Sequence, residues 1–279
     1  MKTILVPTDF SPVADNALQY ASEMNKLWNA EIVIYHSSYV PVSLTPGGAI
    51  YTDDAALHKV ADENLKAVIE KIKARYPGQQ YATKTGTGLG AQEIVAEQKN
   101  GSYDLIIMGT KGASGAEEIL IGSVTASVIE NSSCPVIAIP GQARMNGINK
   151  VVFAVDYGKD PFKNALKIID LLRNLNPEII LFHLTDGKPD EIMEYGMLEK
   201  FKDRLIQESH YQSITFRLFE SPDVYDGLNK YITEFNIDMV AISMRNRNIF
   251  EKLFSRSLTK KMVYHSHIPV LALHENESE

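Results

Sequence analysis

Residues 104–124 read DLIIMGTKGASGAEEILIGSV, an apolar segment followed by glycines with the spacing G-x2-G-x9-G-S. The apolar segment predicts a buried strand, and the residues from Val124 onward predict a helix. Glycine lets a backbone approach an anion closely, and the free N–H groups at the start of a helix point at that anion. The spacing therefore predicts a phosphate-binding loop, to which an ordinary glycine turn is the alternative.

Composition narrows the function classes. The chain has 279 residues, 44% of them hydrophobic and 23% charged, which is typical of a globular protein and long enough for two domains. The net charge of −7 argues against non-specific nucleic-acid binding. The single cysteine, Cys134, excludes an internal disulfide, predicts a buried thiol and fits a reducing cytoplasm. We expect no signal peptide and no membrane span, since no apolar run approaches about 18 residues.

Short apolar runs alternate with amphipathic stretches, which predicts βαβ units and a parallel sheet. In the first half the strands are predicted at residues 3–6, 31–35, 81–85, 105–108 and 136–139. One helix is predicted to begin near Pro12 with Ser11 as its N-cap, and another to span residues 55–76. The first would bury Ala14, Ala17, Leu18 and Ala21, and the second Leu57, Val60, Ala61, Leu65, Val68 and Ile72.

The second half repeats the pattern of the first. Asp156 and His183 follow Asp9 and His36 by 147 residues, and Asp238 and Pro269 follow Asp104 and Pro135 by 134 residues. Two matching pairs of residues at each spacing predict a duplication. Because the spacing falls from 147 to 134 residues, we predict a deletion of 13 residues between the second and third strands of the second half. We place most of that deletion in the loop of residues 37–54. The predicted domains are residues 1–141, with the loop intact, and residues 150–274, with the loop degenerate, joined by a short polar linker over residues 141–149.

The chain resembles the universal stress protein family over nearly its whole length. The resemblance rests on the glycine loop, on ILVPTDFS at residues 4–11, on Gly88 and Ile94, and on CPV at residues 134–136. It implies an α/β fold of two tandem Rossmann-like domains of the adenine nucleotide alpha hydrolase type. Each would be a five-stranded, parallel, doubly wound sheet with strand order 3-2-1-4-5. Such a sheet binds ligands where its strand order reverses, between strands one and four.

The resemblance also implies an adenine-nucleotide site in the first half, for ATP, ADP or AMP, with Mg²⁺. The glycines would shape the loop, and Ser123 and Val124 would offer backbone N–H groups to phosphates. Asp9 would reach the ribose or hold Mg²⁺ through water, with a capping aspartate as the alternative. Pro7, Thr8 and Ser37 match positions that line the adenine pocket. The implied binding residues are Pro7, Thr8, Asp9, Ser37, Met108, Gly109, Gly112, Gly122, Ser123 and Val124, and Asp9 is the candidate metal ligand.

Other residues near these motifs each have a functional and a structural interpretation. Lys111 either meets a phosphate or is solvated, and Thr125 is either a second hydroxyl donor or a first-turn helix residue. His36 is predicted to be a core histidine at the end of a strand rather than a catalyst. Gly86, Gly88 and Gly90 lack the full dinucleotide-binding spacing and predict a glycine turn.

The second half has lost the loop. The corresponding positions are Ser243, Asn246, Arg256 and Ser257, so all three glycines are gone. At Gly122 an arginine side chain would occupy the place where the backbone meets phosphate, and any positive φ there would become costly. We therefore predict that this half does not bind ATP in the usual way. Residues 244–261 are strongly basic, which indicates either a solvated or internally paired patch or a site for an anion or acidic partner.

The glycine loop favours a nucleotide-binding protein, and the family resemblance implies a regulatory role in stress responses. No Walker A Lys-Ser pair and no paired base and nucleophile stand out, so efficient hydrolysis is not expected, and slow ATP hydrolysis stays open. A nucleotide-independent scaffold that binds a protein or small ligand through the second half is the alternative. A nucleotide-dependent ligase is disfavoured because residues 9–13, DFSPV, lack the glycines of a pyrophosphate loop.

The fifth strands, VIAI at residues 136–139 and VLAL at residues 270–273, are apolar and would lie at sheet edges. Such strands pair across a dimer in the family that the chain resembles. The resemblance therefore implies an intramolecular pseudo-dimer of the two halves, and it leaves a homodimer of the whole chain open.

Overall fold

The computed structural model describes residues 3–39, 43–45, 48–50, 54–110, 121–155, 161–185, 191–221, 224–244 and 267–273. The chain divides into two compact units, Met1–Gln142 and Ala143–Glu279, which we call the first half and the second half. None of the helices in these described ranges has the length and apolar character needed to cross a membrane.

The first half is built on a five-stranded parallel sheet with the strand order β5-β2-β1-β6-β7. In chain order this is 3-2-1-4-5 for the main strands, which confirms the predicted fold class. A short antiparallel hairpin, β3–β4, was not predicted and lies within the loop after β2. The elements are β1 (Thr3–Pro7), α1 (Pro12–Asn25), β2 (Glu31–Ser38), β3 (Ser43–Thr45), β4 (Gly48–Ile50), α2 (Asp54–Arg75), β5 (Gln80–Thr87), α3 (Gly90–Asn100), β6 (Leu105–Gly109), α4 (Ser123–Asn131) and β7 (Val136–Ile139).

The second half repeats this architecture. Its parallel strands have the order β10-β9-β8-β11-β12, which is again 3-2-1-4-5. The elements are β8 (Lys150–Ala154), α5 (Phe162–Leu172), a 3₁₀ turn (Arg173–Leu175), β9 (Glu178–Thr185), α6 (Glu191–Ser209), β10 (Ile214–Glu220), α7 (Val224–Phe235), β11 (Met239–Ser243) and β12 (Val270–Leu273).

The inner strands are buried on both faces, because helices cover both sides of a doubly wound sheet. All five residues of β6 are buried, and so are four of the five in β1. Helix α1 begins as predicted: the Ser11 hydroxyl accepts a hydrogen bond from the Ala14 N–H at 3.2 Å, and Pro12 occupies the first turn. Its small residues Ala14, Ala17 and Ala21 are buried, so the helix lies close to the sheet.

Three sequence-based expectations need correction. Val60 of α2 is 56% exposed, because it lies about 100° around the helix from the buried stripe that contains Ala61 and Leu65. His36 lies inside β2 rather than at its end, since the strand continues to Ser38. The polar linker of residues 141–149 contains two almost fully buried side chains, Ala143 and Ile148, so it is partly packed against the protein.

Candidate functional site

The strand order of the first half reverses at β1. This strand pairs with β2 on one side and with β6 on the other, and the connections after β1 and β6 lead to different helices. Ligands of doubly wound sheets bind in the crevice that such a reversal opens at the carboxyl ends of the strands. The segment after β1 and the end of β6 therefore define the candidate site, as the sequence predicted from the resemblance.

The turn between β1 and α1 is held by its own side chains. The Phe10 N–H donates to the Thr8 hydroxyl and the Ser11 N–H donates to Oδ1 of Asp9, both at 3.0 Å. Asp9 is exposed, and it is not the N-cap of α1, because Ser11 has that role. Phe10 has a φ of +63°, an uncommon conformation for an aromatic residue. Ser11 is therefore the N-cap of α1, and Oδ1 of Asp9 accepts a hydrogen bond from the backbone of that N-cap residue.

His36 fixes the backbone at the start of this turn. Its Nδ1 lies 2.8 Å from the Thr8 carbonyl oxygen, and because a carbonyl only accepts, Nδ1 carries the proton. The imidazole also packs against the Phe10 ring, with 4.4 Å between the ring centroids. His36 is half-buried and hydrogen-bonded, as expected of a structural histidine. Its position beside Thr8 makes it a positioning residue of the site, a role that the sequence alone did not reveal.

Ser37 connects the end of β2 to the turn after β5. Its hydroxyl donates to the Gly88 carbonyl at 3.1 Å, and the Gly88 N–H donates to the Ser38 carbonyl at 2.9 Å. Gly88 has a φ of +150°, which favours glycine. A Cβ on Gly86 would lie 2.0 Å from the Tyr35 hydroxyl oxygen. Of the three glycines predicted to form a turn, only Gly88 lies in the connection after β5, because Gly86 belongs to β5 and Gly90 begins α3.

The start of α4 is fastened to the end of β6. The Thr125 hydroxyl donates to the Gly109 carbonyl at 2.8 Å, and the Gly122 N–H donates to the Thr110 carbonyl at 2.6 Å. Gly122 is the N-cap and supplies no side-chain hydrogen bond to the first turn. The first two helical residues, Ser123 and Val124, are exposed. The first-turn N–H groups of α4 are therefore held beside the carboxyl end of β6, and their N-cap residue is a glycine, which has no side chain to cap them.

Thr125 is a structural residue, since its side chain is buried and its hydroxyl donates a hydrogen bond to the Gly109 carbonyl. Two other residues predicted in the loop, Lys111 and Gly112, lie outside the described residues. Pro7 and Met108 are buried at the ends of β1 and β6.

The two ends of the loop differ in whether the local structure requires a glycine. A Cβ on Gly109 would lie 2.8 Å from Cγ1 of Val13 and 3.1 Å from the Val13 carbonyl oxygen, so α1 packs directly on this glycine. Gly122 has φ −68° and ψ 158°, which any residue adopts. No positive φ therefore requires glycine at position 122, and the expected strain of an arginine there does not arise from the backbone.

Burial raises the pKa values of several side chains outside this turn. Burial, with Glu93 and Glu97 adding to it, raises the pKa of Tyr35 to about 12. Burial and a hydrogen bond to Glu97 likewise raise the pKa of Tyr103 to about 12. The Cys134 thiol is buried as predicted, and burial raises its pKa to about 12. Within the described ranges no three histidine, cysteine or carboxylate side chains cluster as metal ligands would.

The second half keeps one part of this arrangement and has changed another. Nδ1 of His183 lies 3.0 Å from the Val155 carbonyl oxygen, across the same 28-residue separation as in the first half. At the position of Gly109 stands Ser243, whose hydroxyl accepts a hydrogen bond from the fully buried Asn164 amide at 2.8 Å. The remaining predicted positions, Asp156, Asn246, Arg256 and Ser257, and the basic segment after Met244 lie outside the described residues.

A sequence model of the universal stress protein family matches residues 1–140 and again residues 147–274. The chain belongs to the universal stress protein family. The two matches cover nearly the whole sequence, so the resemblance drawn from the motifs is confirmed and each half is a copy of the family's domain.

Two universal stress proteins are similar in sequence to one half of the chain, and a third is similar in fold over its whole length. Universal stress protein MJ0531 of Methanocaldococcus jannaschii is 37% identical over 140 residues, which are 50% of this chain and 81% of that protein. YxiE of Bacillus subtilis is 31% identical over 143 residues, 49% of this chain and 97% of that protein. A universal stress protein from Archaeoglobus fulgidus has a similar fold, with a TM-score of 0.71, 20% identity and 98% of each chain covered.

Proposed function

We propose that the first half binds an adenine nucleotide at the carboxyl ends of β1, β2 and β6. The observation that carries this proposal is the start of α4, where the N-cap is Gly122 and two hydrogen bonds hold the helix against the end of β6. The exposed Asp9 follows the neighbouring strand. A helix start without a capping side chain offers N–H donors and a positive dipole end, which together favour phosphate. Membership in the universal stress protein family supports the choice of an adenine nucleotide.

Each group of proposed binding residues would contact a different part of the nucleotide. The N–H groups of Ser123 and Val124 and the Ser123 hydroxyl would bind phosphates, with Gly112 completing the loop. Asp9 would bind the ribose or, through water, a Mg²⁺ ion that bridges phosphate oxygens. A single exposed carboxylate fits Mg²⁺, which keeps most of its water shell beside a nucleotide. Pro7, Thr8, Ser37 and Met108 would line the base, and His36 would keep the Thr8 backbone in place.

We further propose that this site regulates rather than catalyses, with slow ATP hydrolysis left open. No described residue pairs a general base with a nucleophile near Asp9. The second half is proposed to lack an equivalent nucleotide site, which is supported by the change from Gly109 to Ser243. The Asn164–Ser243 hydrogen bond puts two polar side chains at the strand end where the first half has a glycine. A scaffold that works without nucleotide stays the alternative function.

Isothermal titration of Mg²⁺-ATP, ADP and AMP into the intact, nucleotide-free chain tests the proposal. We expect one site per chain, lost in Gly122→Arg because the new side chain would cover the start of α4. Asn131→Arg is the matched control, since it adds the same charge at the exposed opposite end of that helix. Asp9→Asn should weaken binding and reduce its dependence on Mg²⁺.

Three outcomes of the titration are decisive. One site that Gly122→Arg abolishes and Asn131→Arg keeps would support the proposal. No heat with any nucleotide, from a folded protein, would favour the scaffold function. Two sites per chain would contradict the proposed loss of the site in the second half.

We also propose that the two halves associate through β7 and β12, as the family resemblance implies. Each strand ends the strand order of its own half and consists of four apolar residues. A protease site inserted into residues 141–149 would test this. After cleavage the halves should stay together in gel filtration, and Ile137→Lys should separate them. Halves that separate without the substitution would contradict the proposal, and light scattering on the uncleaved chain would test the homodimer.

A further inference from the structure

Helix α6 of the second half exposes apolar side chains at its beginning. Ile192 is 88% exposed, and Met193, Tyr195 and Met197 are exposed as well, so four large apolar residues fall within six positions. Of the large apolar side chains described in α2, the corresponding helix of the first half, only Val60 is exposed. Exposed apolar residues are ordinary when scattered, whereas a contiguous group marks an interaction surface.

Two of these residues, Ile192 and Tyr195, line a groove of about 700 Å³ between α6 and β10. Tyr195 forms one wall, packed edge-to-face on Phe216 with 4.9 Å between the ring centroids. Five consecutive residues of β10 line the other wall, from Ile214 to Leu218. Because successive side chains of a strand point to opposite faces, five consecutive lining residues mean that the groove follows the edge of the strand.

Strand β10 is the last strand in the order of the second half and pairs with β9 on one side. The Ile179 N–H donates to the Ser213 carbonyl, and the Ser221 N–H donates to the Thr185 carbonyl. Odd-numbered residues of β10 therefore direct their N–H and C=O groups to β9, and even-numbered ones direct theirs to the open edge. Within the described part of the chain, Phe216 and Leu218 thus present backbone groups to the groove.

The groove is basic although the chain as a whole carries a net charge of −7. Lys202 lies over the Phe216 ring, with Nζ 5.5 Å from its centroid, and Arg217 donates from Nη1 to the Phe216 carbonyl at 2.8 Å. Two carboxylates lie close by. Asp203 is 3.4 Å from Lys202, and Glu178 accepts a hydrogen bond from Thr215 at 2.7 Å. Both cations line the groove itself, so the surface that a ligand would meet is positive.

We propose that the open edge of β10 binds an extended peptide segment of a partner protein as an added strand, with apolar side chains alternating with acidic ones. The backbone groups of Phe216 and Leu218 would pair with the peptide, and Arg217 would turn from the Phe216 carbonyl to an acidic side chain. Alternate apolar side chains would cover Tyr195 and Ile192, as in other cases of strand addition. At about 3.3 Å per residue the five lining residues would accommodate a peptide of about five to seven residues.

The charges argue against a second copy of this chain as the occupant. Two β10 strands paired about a two-fold axis would bring the Arg217 side chains of both copies to the same edge. Like charges across an added strand pair are unfavourable. A free acyl chain would use the apolar wall but would leave the outward N–H and C=O groups of Phe216 and Leu218 unpaired.

Fluorescence anisotropy with the full chain tests the proposal. The probes are fluorescein-labelled twelve-residue peptides that alternate valine with glutamate, and a control set that alternates valine with lysine. We expect the glutamate peptide to bind at least tenfold tighter than the lysine peptide. The double variant Lys202→Glu, Arg217→Glu should reverse that order, whereas Lys200→Glu, Lys230→Glu, with exposed positions off the groove, should not.

Two measurements separate strand addition from other binding. Peptides methylated on alternate backbone nitrogens should lose binding, which needs no protein variant to fold. Amide exchange by NMR should show new protection at Phe216 and Leu218, while Thr215 and Arg217, already paired with β9, should change little. Equal affinity for both peptides, binding of dodecanoate without binding of peptide, unchanged binding of methylated peptides, or a concentration-dependent dimer that blocks the peptide would each overturn the proposal.

Discussion

Replacing Gly109 with alanine should destabilise the first half even without ligand. The added Cβ would lie 2.8 Å from Cγ1 of Val13, 3.1 Å from its carbonyl oxygen and 3.2 Å from its carbonyl carbon. The side chain of Val13 can rotate, but its backbone belongs to the first turn of α1 and moves only with the helix. Overpacking of this kind costs about 1–3 kcal/mol, and the backbone contacts place the expected cost at about 2–3 kcal/mol.

The single tryptophan of the chain makes the measurement selective. Trp28 is buried in the first half, so its fluorescence during urea unfolding reports on that half. For a half of this size the expected loss corresponds to a lower melting temperature by about 7–10 °C. Gly90→Ala is the matched control in the same half, because its Cβ would have its nearest contact at 4.0 Å. We expect that variant to change stability by less than about 0.5 kcal/mol.

A double variant identifies the cause of the destabilisation. Val13→Ala in the Gly109→Ala background removes the contact at 2.8 Å and leaves the contact with the carbonyl oxygen. It should therefore cost less than the sum of the two single substitutions, with a coupling free energy of about 1 kcal/mol. A Gly109→Ala protein within about 0.5 kcal/mol of the unsubstituted chain, or strictly additive variants, would refute the packing argument for this glycine.

Three further predictions concern buried polar groups. Thr125→Val should cost about 1–3 kcal/mol in urea unfolding, because the Gly109 carbonyl loses its donor, and Thr125→Ser should restore most of it; equal stabilities would contradict this. Cys134, whose pKa burial raises to about 12, should react with a disulfide reagent at pH 8 only after unfolding, and rapid reaction of the native protein would contradict this. Tyr35 and Tyr103 both have pKa values raised to about 12, so the folded state retains phenolic protons that the unfolded state loses near pH 10. Their contribution to stability should be complete below pH 10 and be lost between pH 10 and 12, measured as melting temperature beside phenolate absorbance; a melting temperature unaffected in that interval would refute it.

The sequence predicted those features that depend on local pattern. Strands such as β7 were located to the residue, because their apolar runs are bounded by polar or proline residues. The N-cap Ser11 was found because capping depends on residues within one turn. Strand order came from the family resemblance, because strand periodicity carries no information about neighbours in a sheet.

What the sequence did not predict depends on contacts between distant elements. The reason for glycine at position 86 is the hydroxyl of Tyr35 from a neighbouring strand, and the reason at position 109 is Val13 of α1. Val60 was assigned to the wrong face because an apolar residue beside the buried stripe looks the same in sequence as one within it. The role of His36 required knowledge that the carbonyl of Thr8, 28 residues earlier, lies within hydrogen-bond distance of its Nδ1.

The duplication separates what the fold requires from what the ligand requires. Both halves keep the hydrogen bond from the histidine near the end of the second main strand to the carbonyl that follows the first, at 2.8 Å and 3.0 Å. The end of strand four has changed, from Gly109 under the valine of α1 to Ser243 bonded to Asn164. A bond retained in both copies while the neighbouring strand end diverged belongs to the turn itself. We therefore expect His36→Gln and His183→Gln to destabilise their own halves alike, whereas only His36→Gln should also weaken nucleotide binding. Equal loss of stability without any change in nucleotide affinity would show that the Thr8 turn does not contact the base.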